Sequence, residues 1–187
     1  SGSGSSSSGS STTDTSNGTV VTSFSELTAA VTKAEKAGGG IVYVKGSSIS
    51  CTAQLALKAS NANVSIIGVK NSDGTYPVLD FSAFRSAYIG KATTDSEVGI
   101  RISGSNYTIK NLIIQKAPDN GIQIKGSSAG NNTIENCIVR YNNDAGVQIT
   151  GGAYSNTMRF VYSYRNCDVY TLGGNADGFA PKLGAGK

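Results

Sequence analysis

Apolar and polar residues alternate in short bursts through the middle of this chain, and the bursts recur. Gly99-Ile100-Arg101-Ile102-Ser103, Gly121-Ile122-Gln123-Ile124-Lys125 and Gly146-Val147-Gln148-Ile149-Thr150 share one pattern, and Gly178-Phe179-Ala180-Pro181-Lys182 makes a fourth. The first three glycines lie 22 and 25 residues apart. A second element keeps step with them: Thr108-Ile109-Lys110-Asn111-Leu112, Thr133-Ile134-Glu135-Asn136-Cys137 and Thr157-Met158-Arg159-Phe160-Val161. Alternation at every second position is the strand period, and no 3.6-residue apolar stripe runs between residues 98 and 165. Two short strands per repeat at a period near 25 predict an all-β solenoid. Like strands then stack about 4.8 Å apart. Ile100, Ile122, Val147 and Phe179 should form one inward column, and Ile102, Ile124, Ile149 and Pro181 the next, giving a parallel β-helix.

Turn chemistry supports the same picture. Asn111 and Asn136 share a column where a side-chain amide can bond the bend and its counterpart one coil away, and Phe160 interrupts that ladder. The chain has 24 glycines, 15% charged residues and neither His nor Trp, a balance suited to many short strands joined by tight turns. One helix stands out near the start. Ser23 and Glu26 make a capping box, Leu27, Val31 and Ala34 an apolar stripe, Lys33 and Lys36 favour the C-terminal half, and Gly38-Gly39-Gly40 ends it. Ile41-Val42-Tyr43-Val44 follows as a buried strand. An open first coil needs a cover, so residues 20–37 read as an N-terminal capping α-helix. The sequence reaches Lys187 directly after the fourth strand, which predicts a β-helix truncated at its C-terminal end, with coils lacking.

Residues 1–18 are nearly all Ser, Gly, Thr and Asn and read as a flexible linker, leaving 19–187 as one β-helix domain. A net charge of +4, with 16 basic residues scattered along the chain, argues against nucleic acid and for a mildly polyanion-attracting surface. No apolar run is long enough to cross a bilayer. Cys137 falls in an apolar column and reads as core. Cys167 falls in a loop, and no disulfide follows from the spacing of these two and Cys51. The sequons at Asn17, Asn63, Asn106 and Asn131 read as by-products of Asn-rich turns.

The acidic residues carry more chemistry. Asp119, Asp144 and Asp168 each lie 11 residues beyond the Thr of their repeat, so they should stack on one loop face. There they serve either as turn residues or as a group needing a cation or basic neighbour. Asp177 takes the place of Val98, Asn120 and Ala145 beside the repeat glycine, after a longer connection, and long insertions on a solenoid tend to serve its binding face.

The run Asn175-Ala176-Asp177-Gly178-Phe179-Ala180-Pro181-Lys182-Leu183, with Ser163-Tyr164-Arg165-Asn166 and the loop from Asp168 to Gly174, resembles polysaccharide lyase family 9. The likeness extends over about residues 20–187, including the capping helix and Val64-Ser65-Ile66-Ile67-Gly68. The resemblance implies a right-handed parallel β-helix and a secreted, extracellular pectate lyase that cleaves polygalacturonate by Ca2+-dependent β-elimination. In that chemistry calcium neutralises the uronate carboxylate, and a Lys or Arg takes the C5 proton. It places Asp177 as the first calcium ligand, with the other ligands and the base in segments beyond those present here. No catalytic residue is therefore assigned. Lys182 matches a family lysine and reads either as a holder of substrate carboxylate or as a plain surface lysine. The expected partner is an acidic polysaccharide, with no nucleic acid and no membrane, and the chain is expected to be a monomer. Two other readings stay open: a non-catalytic β-helix that binds or adheres to polysaccharide, and a hydrolase using Asp144 and Asp168 as paired carboxylates.

Overall fold

The computed structural model describes residues 13–168, 173 and 177–185. After β1 (Thr19–Val21) and α1 (Phe24–Lys36), the chain winds through five coils of three strands each. The coils are β2 (Gly40–Val44), β3 (Ser48–Ser50) and β4 (Leu55–Leu57); β5 (Val64–Gly68), β6 (Val78–Asp80) and, after the short α2 (Ser82–Ser86), β7 (Ile100–Ile102); β8 (Tyr107–Lys110), β9 (Ile113–Gln115) and β10 (Ile122–Lys125); β11 (Thr133–Glu135), β12 (Ile138–Arg140) and β13 (Val147–Thr150); and β14 (Thr157–Arg159), β15 (Tyr162–Tyr164) and β16 (Phe179–Pro181). Strand stacks on like strand in three parallel sheets, β1-β2-β5-β8-β11-β14, β3-β6-β9-β12-β15 and β4-β7-β10-β13-β16. This is a right-handed parallel β-helix.

The predicted register holds throughout: Ile100, Ile122, Val147 and Phe179 pair in one column, and Ile102, Ile124, Ile149 and Pro181 in the next. The first three members of the first column are buried, whereas Phe179 is 44% exposed, since no described coil lies over it. Three strands per coil, not two, is a correction. The corner between the first and second strands of a coil turns on one residue in the left-handed region, at Asn111, Asn136 and Phe160, so the two strands read as a single apolar run without Gly or Pro to part them. Asn136 Nδ2 donates to Asn111 Oδ1 at 2.8 Å, which is the expected ladder. Phe160 keeps the left-handed corner without the amide and is exposed.

Two further asparagine ladders were not read from the sequence. Asn132 and Asn156 are joined at 3.0 Å, and Asn132 Oδ1 receives the Tyr107 N–H. Asn142 and Asn166 are joined at 2.9 Å, and Asn142 Oδ1 receives the Ala117 N–H. Three of these four side chains are buried. They supply donors and acceptors to bends whose backbone groups lack a strand partner.

The N-terminal cover forms with a shift in its bounds. Val20 and Val21 belong to β1, which extends the first sheet beyond β2, and the helix begins at Phe24. The Ser23–Glu26 capping box is reciprocal, and Leu27, Ala30 and Val31 are buried on the apolar face. Residues 15–18 form a turn against β2, with the Tyr43 hydroxyl donating to Asn17 Oδ1 at 2.7 Å. Asn63, Asn106 and Asn131 occupy left-handed turn positions, as their reading as turn residues requires. All three cysteines are free, with Cys51 and Cys137 buried and Cys167 exposed. No helix among the described residues is long and apolar enough to cross a membrane.

Candidate functional site

The third sheet carries the site. A ladder of backbone bonds crosses its leading edge: Gly99 N donates to Asn120 O, Gly121 N to Ala145 O and Gly146 N to Asp177 O at 2.9, 3.1 and 2.9 Å. Asp177 therefore stands in register with Val98, Asn120 and Ala145, as the repeat alignment predicted. The edge is tight. A Cβ at Gly121 would lie 2.5 Å from Asn142 Nδ2, and one at Gly146 would lie 2.0 Å from Ser163 Oγ and 2.9 Å from Gly178 O. Glycine recurs here for space rather than for backbone freedom, because neither position has a positive φ.

Asp177 and Lys182 flank the short strand β16, and their side chains approach to 4.0 Å across the position of Ala180. Both are substantially exposed, so this pair contributes little stability and stays available to a ligand. Lys182 N donates to Ile149 O at 2.8 Å, which continues the ladder past β16 and sets Lys182 in one row with Thr150 and Lys125. The same register carries the row back through Ser103 to Lys58. Lysine thus recurs at every second coil, a spacing of about 9.6 Å along the axis.

One residue before the Gly-edge position lies a line of acids. Asp119 and Asp144 come together as predicted. Burial raises both carboxyls above their ordinary range, and the charge of Asp144 raises Asp119 further. Asp168 adds repulsion and Lys182 attraction at Asp144. Asp119 Oδ1 also receives the Asn120 N–H at 2.7 Å and Asn120 Nδ2 at 2.8 Å.

A second cluster covers the outer face of the sheet further toward the N-terminus, and the sequence reading missed it. The segment between α2 and β7 folds over the sheet and delivers Asp95 to Arg101 at 3.0 Å, to Gln123 Nε2 at 2.9 Å and to Lys125. Burial works to raise the Asp95 carboxyl, but hydrogen bonds from Lys125, Gln123 and Arg101 outweigh it and hold the group down to about 2. Gln123 points outward by strand alternation, yet it is only 2% exposed. The Gly-Ile-x-Ile-x pattern did place positions 101, 123 and 125 on the outer face. Nothing in residues 86–98 repeats, so Asp95 had no signal.

Of the motif quoted for the family resemblance, Asn175, Ala176 and most of the preceding loop lie outside the described residues. Among the described residues no group of three or more His, Cys, Asp or Glu side chains could hold a metal. Asp177 offers one carboxylate, whereas calcium takes six to eight oxygens. The described residues by themselves do not fit a calcium ion.

Comparison with known proteins agrees with this geometry. The family described as the Pel9A-like, right-handed β-helix region matches residues 8–187. Pectate lyase L of Paenibacillus polymyxa (strain SC2) is 32% identical over 158 residues, covering 80% of this chain and 33% of that protein. The crystal structure of pectate lyase Pel9A superposes with a TM-score of 0.64 at 22% identity, covering 87% of this chain and 40% of that one, and supports the fold. The chain thus spans about a third of the length of the curated relative it matches. With a family match over nearly its whole length and the repeat register in place, the chain belongs to the Pel9A-like right-handed β-helix family.

Proposed function

We propose that this chain is the β-helix of a secreted, calcium-dependent pectate lyase and that its third sheet binds polygalacturonate for β-elimination. The observation that carries the reading is the row Lys58, Lys125 and Lys182, which ends beside Asp177 on the outer face of that sheet. A linear polyanion laid along the axis meets a cation at every second coil. Low-dielectric protein beneath the row and water above it make each contact modest, and several together give avidity and salt dependence.

The chain's own residues bind and orient. Lys182 would turn a uronate carboxylate toward the end of the row that carries Asp177. Asp177 pairs with Lys182 in the free protein and would give it up when the uronate arrives. Calcium, when bound, would supply charge neutralisation of that carboxylate.

The test is incubation with polygalacturonate and calcium, followed through the ultraviolet absorbance of the unsaturated uronate that elimination creates. Product that disappears on chelation and in Asp177→Ala supports the reading; a flat trace from the full-length protein refutes it. The lysine row would serve binding alone equally well, which makes a non-catalytic polysaccharide-binding module the alternative. Binding that a chelator leaves unchanged, with no product, would select it.

A further inference from the structure

Beside Asp95 the outer face opens into a polar hollow of about 450 Å³ lined by Gln54, Lys58, Asp95, Ser96, Arg101 and Ser103. Three observations bear on what it accepts. First, Lys58 and Arg101, on adjacent coils, make its lining cationic, and Lys125 stands next to it one coil further along, behind Asp95. Second, a carboxylate already sits there, received by Arg101, Lys125 and Gln123. Third, Gln123 is buried and its Oε1 has no hydrogen-bond partner. Turning the amide over does not help, since Nε2 donates to both Asp95 Oδ1 and Gln148 Oε1, at 2.9 and 2.8 Å, and an oxygen there would face two acceptors. The closed arrangement leaves one buried acceptor wanting a donor.

We infer that this hollow is a uronate subsite, about three coils from Asp177, whose carboxylate position is filled by Asp95 in the free protein. The segment around Asp95 acts as a strap. Besides the Asp95 carboxylate, polar contacts hold it in place: Gln54 Nε2 reaches the Asp95 and Val98 carbonyls at 2.8 and 3.3 Å, Arg101 reaches the Asp95 carbonyl at 3.1 Å, and Glu97 closes a local turn onto Thr94. An arriving uronate replaces one carboxylate by another on Arg101 and Lys125, so the charge balance is kept. Its hydroxyls bring the donor that Gln123 Oε1 lacks. Displacement uncovers the outer face between Arg101 and Lys125 and so lengthens the track available to the polymer. The inference rests on the proposed polysaccharide reading.

The test compares the parent chain with Asp95→Asn for binding of oligogalacturonate by calorimetry at low salt without calcium. Removing the internal competitor should tighten binding roughly fivefold, the factor expected of one exposed ion pair. In the unmodified chain, amides 94–97 should exchange faster with solvent once oligogalacturonate is bound, a readout that does not depend on the variant folding. If the parent binds but Asp95→Asn binds no more tightly, or the amides do not respond, the subsite is overturned and the polysaccharide reading stands. If neither chain binds, both readings fail. Binding by Asp95→Asn alone would support the strap in its strongest form.

Discussion

Replacing Gly146 by Ala tests whether the leading edge of the third sheet positions Asp177 by close packing. The new Cβ would sit 2.0 Å from Ser163 Oγ, 2.6 Å from Asn166 Nδ2 and 2.9 Å from Gly178 O. The Ser163 hydroxyl can rotate away, but it then gives up its 2.7 Å bond to Gly178 O and its 3.1 Å bond from Asn166. The carbonyl of Gly178 belongs to the backbone and must move bodily. Overpacking of this kind costs about 1–3 kcal/mol, and a lost buried hydrogen bond adds about 1 kcal/mol. Against this, Gly→Ala gains about 0.4–1 kcal/mol by restricting the unfolded chain. The net expectation is a loss of about 2–3 kcal/mol, read as a lower urea midpoint by far-ultraviolet circular dichroism at unchanged slope. Gly178→Ala is the control: its nearest described neighbour is Ser163 O at 3.4 Å, an ordinary contact, so its stability should stay within about 0.5 kcal/mol of the parent. A Gly146→Ala chain as stable as the parent, or a control equally damaged, would refute the packing argument.

Other outcomes follow from the same structure. Asn142→Ala removes the acceptor for Ala117 N–H and the donor to Asn166, and should cost about 2–3 kcal/mol in the same urea assay, because buried groups are left unpaired. The Asp119 carboxyl, pushed up to about 7 chiefly by burial and then by Asp144, binds its proton more tightly in the folded chain than in the unfolded one. Its contribution is therefore complete at acid pH and is lost as pH rises from the ordinary carboxylate range through about 7. Asp119→Asn should flatten that decline in thermal melts taken across the range. Burial pushes the Cys51 and Cys137 thiols up to about 12, whereas Cys167 is exposed. A thiol reagent should titrate Cys167 alone in the native chain and all three cysteines after denaturation.

The solenoid was legible because strand pairing between like positions turns a sequence period into a spatial column. Ile100, Ile122 and Val147 announced their stacking by position alone, and Asp177 announced its place beside the repeat glycine in the same way. The middle strand of each coil was hidden for a physical reason: a single left-handed residue turns the corner, and Asn111 or Phe160 does so without the glycine that marks a bend. The Asn132–Asn156 and Asn142–Asn166 ladders were hidden because turn asparagines are common and only the fold distinguishes inward amides from outward ones. Asp95 was the least legible of all. Its partners Arg101, Gln123 and Lys125 come from other coils, and its own segment repeats nothing, so only the path of the connection after α2 brings them together.

The central claim is that the third sheet's outer face is a cationic track for an acidic polysaccharide. Calorimetric titration with polygalacturonate and with its methyl-esterified form, in the parent and in a chain carrying Lys58→Ala, Lys125→Ala and Lys182→Ala, tests it most directly. The account predicts binding of the acid polymer alone, weakened by salt and lost in the triple variant. Equal binding of both polymers, or a triple variant that binds as well as the parent, would contradict it.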